Sequence, residues 1–171
     1  MISIRNISAA DVQTLNEQLV DLLQNTVDDG ASIGFIAPLS AQDAHAYWQG
    51  VASTVAEGHK ILLIAEEEGR LAGAVQLALE PRANGNHRAE VQKLMVHTDF
   101  RRRGIGRLLM DALHAEARQA KRTLIVLDTR TGDAAERLYE RLGYTLAGII
   151  PRYARSSAGT LTDTSYYYLE M

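Results

Sequence analysis

The residues best suited to chemistry in this chain lie in one stretch, EVQKLMVHTDFRRRGIGRLLM, from Glu90 to Met110. At its centre stand Arg101, Arg102, Arg103, Gly104, Ile105, Gly106 and Arg107. Before them, Glu90 to Val96 sets Val91, Leu94, Met95 and Val96 among polar residues and reads as a strand of mixed burial. After them, Ile105, Leu108, Leu109, Ala112 and Leu113 recur with helical spacing. A strand that breaks at glycines and then opens a helix leaves backbone N–H groups unpaired, facing the same way as the positive end of the helix dipole. Glycine keeps a Cβ out of the approach, and arginine adds charge-assisted hydrogen bonds. The chemistry expected there is anion binding, of phosphate above all. A dinucleotide fingerprint fails because Leu109 stands at the third-glycine position, and a Walker A loop fails because no Gly-Lys-Ser/Thr follows.

The totals bound the rest. The chain has 171 residues, enough for one domain, and we expect residues 1–171 to form it. It is 46% hydrophobic and 23% charged, ordinary for a soluble protein with a real core. A formal net charge of -3 argues against general nucleic-acid binding. With no cysteine, disulfides and cysteine catalysis are excluded. No apolar run suggests a signal peptide or a membrane span, so a cytoplasmic location is expected. His45, His59, His87, His97 and His114 show no metal-ligand spacing, and no metal is expected.

The elements that must hold the central stretch are readable in order. Ile2 and Ile4 suggest a short strand, and Ser8 with Asp11 a capping box opening a helix to about Thr26. Residues 31–39 form a partly apolar loop. Ser40 with Asp43 caps a second helix that ends near Gly58. Lys60–Glu66 and Leu71–Leu79 read as a hairpin, and Glu80–Arg88 as an exposed loop. The helix after Gly104 should reach about Ala120. Thr123–Asp128 is a buried strand, Ala134–Leu142 a helix stopped by Gly143, and Tyr144–Ile150 a strand. Pro151–Thr160 reads as a loop and Ser165–Met171 as a closing strand, which at a sheet edge could pair two copies. The expected architecture is α/β: a mixed twisted sheet of about seven strands with helices on both faces. Lys93 should be solvated, on the face opposite Leu94.

The Arg-x-x-Gly-x-Gly arrangement after a strand resembles the coenzyme A pyrophosphate loop of the GNAT superfamily of N-acetyltransferases, and the element order matches that fold. The resemblance implies acetyl-coenzyme A as cosubstrate, with the pantetheine arm pairing to the backbone of Leu94, Met95 and Val96. A second stretch, AERLYERLGY from Ala135 to Tyr144, resembles the family's helix-then-strand signature and implies that Tyr139 lies near the coenzyme A sulfur. One position departs: Gly132 stands where many members carry asparagine, so a contact from that side chain is not carried over. GASIGF, RAEVQKLMV, LMD and LDT resemble a narrower group, the tabtoxin resistance acetyltransferases, which implies a small amine substrate.

Acetyl transfer to an amine needs a route for the ammonium proton, polarisation of the thioester carbonyl and a proton for the leaving thiolate. A backbone N–H near Met95 and the Tyr139 hydroxyl are the candidates for the last two. Glu90, which begins the central strand, and Asp128, which ends the adjacent one, are the candidates for the first; in a parallel pair those ends are opposite, so Glu90 needs a local kink or splay to reach the cleft. Two other readings stay open: an enzyme acting on a protein N-terminus or lysine, and a non-catalytic coenzyme A sensor. The sequence permits a monomer or a homodimer.

Overall fold

The computed structural model describes residues 1–171. Its strands are β1 (Ile2–Asn6), β2 (Lys60–Glu67), β3 (Arg70–Leu79), β4 (Arg88–Val96), β5 (Leu124–Arg130), β6 (Thr145–Arg155) and β7 (Leu161–Glu170). Its helices are α1 (Ala9–Thr14), α2 (Asn16–Asp28), α3 (Ala41–Ala56), α4 (Ile105–Gln119) and α5 (Ala134–Arg141), with a 3₁₀ turn at Thr98–Phe100. The strands form one seven-stranded sheet in the order β1-β2-β3-β4-β5-β7-β6. Every pairing is antiparallel except β4 with β5.

Each face of the sheet carries its own core. On one side Leu19, Leu22, Leu23 and Trp48 from α2 and α3 pack on Leu62, Ile64, Ala74 and Met95. The Trp48 indole N–H is satisfied there by the Leu19 carbonyl, 2.8 Å away. On the other side Ile105, Leu109, Met110 and Leu113 of α4 pack on Leu63, Val75, Leu77 and Val91. Leu19, Leu22, Leu23, Leu62, Leu77 and Leu109 are all 0% exposed, and each such side chain contributes roughly 1.5–3 kcal/mol by leaving water.

Four sequence expectations need correction. The first helix is interrupted at Leu15, which leaves helical geometry at φ -94°, ψ 8°, and the chain runs on helically to Asp28. The closing strand is no edge: β7 lies between β5 and β6, so the edges are β1 and β6. Pro151 does not begin a loop, because β6 continues to Arg155. An edge strand has one side without ladder bonds, where a missing N–H costs nothing, and the register slips by a bulge between Ile150 and Ala154. Finally, β5 is not buried throughout; Ile125 and Leu127 are, whereas Asp128 is exposed.

Candidate active site

The site starts from a defect in β4. The pairing of β3 with β4 runs Leu77↔Val91 and Gln76↔Gln92, and then jumps to Ala74↔Met95. An extra residue is thereby accommodated on β4, and Lys93 takes a left-handed φ of 51°. The bulge reverses the side-chain alternation. Ala89 and Val91 belong to the α4 core, whereas Met95 belongs to the opposite core beside α2 and α3. Gly73 on β3 lets the strands close again behind the bulge: a Cβ there would lie 2.6 Å from the Met95 carbonyl oxygen.

The other side of β4 is open. Its parallel pairing with β5 covers only Arg88↔Leu124, Ala89↔Ile125 and Glu90↔Val126. Beyond Glu90 the two strands part, so the β5-facing backbone of residues 91–96 has no strand partner. This is the splay that the sequence argument required. It leaves Glu90 and, two residues past its partner Val126, Asp128 on the wall of one cavity of about 400 Å³.

A larger cavity of about 860 Å³ lies on the helix side of the splay. It is lined by Leu94, Val96, Arg101, Arg102, Gly104, Ile105, Gly106 and Arg107, together with Arg130, Leu138 and Arg141. Gly104 caps α4 at φ 76°, with no side-chain bond to the first turn and no acidic residue in it. The N–H groups of that turn therefore remain available to an external anion. Among the lining arginines, Arg101 pairs with Asp29, Arg107 with Asp111 and Arg130 with Asp133. Ala31, Leu94, Asp133 and Ala135 line both cavities, so the two meet there.

Two predicted cofactor residues are not on the lining. Arg103 turns away and makes a two-pronged bond to Glu67, at 2.7 and 2.6 Å, over the β2–β3 hairpin. That bond raises the guanidinium pKa and lowers that of the Glu67 carboxyl. Met95 is 1% exposed, and its side chain serves the core.

Tyr139 lines the smaller cavity. Its ring packs against Tyr144 and Tyr167, with centroids 5.8 and 6.2 Å away. Its hydroxyl is bonded to no protein group. Burial foremost, then the charges of Asp128 and Asp133, push the phenol pKa well above its ordinary value, so it keeps its proton at neutral pH. Although Asp128 keeps an open face to the cavity, the protein packed around it desolvates its carboxyl and raises the pKa, against a smaller opposing pull from Lys93.

The cavity holds two cations that sequence reasoning missed. Lys93 is half-buried in it rather than solvated, and Lys60 joins it from β2. Burial holds both ammonium groups below the usual lysine pKa. The available signal was Gln92-Lys93 followed by three apolar residues, a break in alternation that marks a bulge. The roof comes from the α2–α3 loop, where Ala31 to Gly34 line the cavity. The Ala37 N–H donates to Ser157 Oγ at 2.9 Å, tying this loop to the β6–β7 turn.

An open helix start after a glycine loop thus lies beside a splayed parallel strand pair, and the two cavities meet between them. The family model for the acetyltransferase (GNAT) domain matches residues 58–146, more than half the chain, and the protein belongs to that family. It is an acetyl-coenzyme A-dependent N-acetyltransferase. Solved structures share the fold. The ribosomal-protein-alanine N-acetyltransferase of Brucella melitensis is 22% identical, with a TM-score of 0.80 over 99% of each chain. A putative acetyltransferase of Salmonella typhimurium, solved with its cofactor acetyl-CoA, is 21% identical, with a TM-score of 0.78 over 99% of this chain and 94% of that one. An N-acetyltransferase of Staphylococcus aureus is 17% identical, with a TM-score of 0.82 over 99% and 98%. No helix is long and apolar enough to cross a membrane.

Proposed function

We propose that residues 1–171 act as one catalytic domain that acetylates the primary amine of a small molecule, of the amino-acid-like kind taken by tabtoxin resistance enzymes. The observation that carries this reading is the acceptor cavity itself. It is about 400 Å³ in volume, near the lower end of small-ligand sites, and the Ala37–Ser157 bond ties loops together at its roof. A protein N-terminus or lysine loop would call for an open groove there. The Brucella relative is named for a ribosomal protein, but at 22% identity its likeness extends to the fold alone.

In this reading Arg101, Arg102 and Arg107 and the first-turn N–H groups of α4, from Gly104 through Gly106, hold the cofactor phosphates. The unpaired backbone of Leu94, Met95 and Val96 holds its arm. Acetyl-coenzyme A supplies an activated acetyl thioester when bound. Glu90 and Asp128 attract the acceptor ammonium and take its proton, directly or through one water. Tyr139 keeps a proton in the acceptor cavity for the departing sulfur. A backbone N–H of the splayed strand near Met95 polarises the carbonyl.

The test is thiol release from acetyl-coenzyme A with a panel of small amines and with peptides bearing free N-termini. Turnover confined to small amines is expected. Preference for a peptide would move the assignment to protein acetylation. Acetyl-coenzyme A binding with neither panel turned over would place the acceptor outside both classes.

A further inference from the structure

The acceptor cavity has two charge poles, and an amine alone satisfies only one of them. Glu90 and Asp128 form the negative pole; Lys60 and Lys93 form the positive one, and all four line the same cavity. Lys60 is held in place by neighbouring strands: its Nζ donates to Gln76 Oε1 at 2.8 Å and to Gln92 Oε1 at 3.0 Å. Gln76 is itself fully buried and bonded to the Tyr47 hydroxyl. Lys93 is different. Its Nζ makes no hydrogen bond and no ion pair with the protein; it sits 5.9 Å from the Phe35 ring centroid and 6.0 Å from that of Tyr47. A half-buried ammonium with no acceptor is costly, and here it is aimed into a cavity rather than into solvent. Gly34 helps keep it reachable: a Cβ there would come to 3.3 Å from Lys93 Nζ.

We propose that Lys93, backed by Lys60, is a specificity-determining anion contact, so that the acceptor carries a carboxylate as well as the amine that is acetylated. This rests on the reading that the cavity receives a small amine. Charge balance selects the ligand class. Two carboxylates and two ammonium groups are complemented by a zwitterion, each pole meeting its opposite. A simple alkyl amine leaves Lys93 unpaired, and a dianionic phosphate ester adds negative charge beside Glu90 and Asp128.

The experiment compares each common amino acid and diamino acid with its own carboxamide, at saturating acetyl-coenzyme A, in wild type, Lys93→Met and Lys93→Arg. Wild type should favour the free acid over the amide by roughly tenfold to a hundredfold in kcat/KM, the worth of one charge-assisted hydrogen bond. Most of that difference should lie in KM. Lys93→Met should bring the acid down to the level of the amide, and Lys93→Arg should keep part of the preference. Thermal melts of both variants establish that they are folded. The proposal is overturned if wild type takes amides as well as acids, or if Lys93→Met lowers both by the same factor. Turnover of peptides but of neither acids nor amides would overturn the small-amine reading, and the proposal with it.

Discussion

Removing one oxygen atom separates the chemical role of Tyr139 from its packing role. Tyr139→Phe keeps the ring contacts with Tyr144 and Tyr167 at 5.8 and 6.2 Å. The hydroxyl has no protein partner, so its loss orphans no donor or acceptor. Stability should change by no more than about 0.5 kcal/mol, a melting shift within about 2 °C for a chain of this size. If the hydroxyl protonates the leaving sulfur, turnover should fall by about 100-fold, or about 2.7 kcal/mol of barrier. That is the low end for general acid catalysis, because a thiolate leaves fairly well unaided. Acetyl-coenzyme A affinity should be unchanged. The assay is steady-state thiol release, with calorimetry for the cofactor and a melt for the fold. Wild-type turnover would leave Tyr139 a packing residue. A large melting loss alongside the kinetic one would show that the hydroxyl has a structural partner, and the reasoning would fail.

Further outcomes are expected. At Gly106 a Cβ would meet only Leu138 Cδ2, at an ordinary 3.5 Å, and no left-handed φ is required; Gly106→Val should therefore fold yet lose acetyl-coenzyme A binding, and unchanged affinity by calorimetry would sink the loop assignment. Glu90→Gln and Asp128→Asn should each raise KM for the amine and lower turnover, while the double variant costs less than the product of the singles. Because burial raises the Asp128 carboxyl, its basic form is gained as pH rises through that elevated value, so wild-type rate should climb with pH and Asp128→Asn should flatten the climb; wild-type profiles in both single variants would refute this. Gly73→Ala places a Cβ 2.6 Å from the Met95 carbonyl oxygen and 3.2 Å from Leu109 Cδ1, so urea unfolding should report a loss of roughly 1–3 kcal/mol, and wild-type stability would show that β4 yields freely.

What could be read from the sequence was what local periodicity and turn chemistry control. The change from strand to helical spacing across Gly104 put the start of α4 at Ile105, where it stands. The Ser8–Asp11 capping box is present with both bonds. The rest depended on direction and order, which spacing does not encode. Three consecutive arginines share a stretch of sequence but not an orientation: Arg101 and Arg102 line the larger cavity, whereas Arg103 is captured by Glu67, thirty-six residues away. Lys93 escaped because alternation assumes a constant phase, and the bulge at φ 51° resets it. Strand order is a tertiary choice, so nothing local could place β7 inside β6. Pro151 misled because its cost depends on whether the strand is central or at an edge.

The clasp between Ala37 and Ser157 has a consequence for how the enzyme can change its substrate. The partners are 120 residues apart, and both lie outside residues 58–146, the segment that carries the family match. The walls that β4, α4 and α5 give the larger cavity lie inside that segment, while the roof of the smaller one is contributed by chain on either side of it. The acceptor cavity is thus divided: its charged residues Lys60, Glu90, Lys93 and Asp128 sit inside the segment, and its roof outside it. Within the roof, residues 31, 32 and 34 and the turn 156–160 join neither core, whereas Leu39 belongs to the core beside α2 and α3 with Ile33, Phe35 and Ala37 packed on it, so a change of acceptor shape by way of the roof is confined to those few positions.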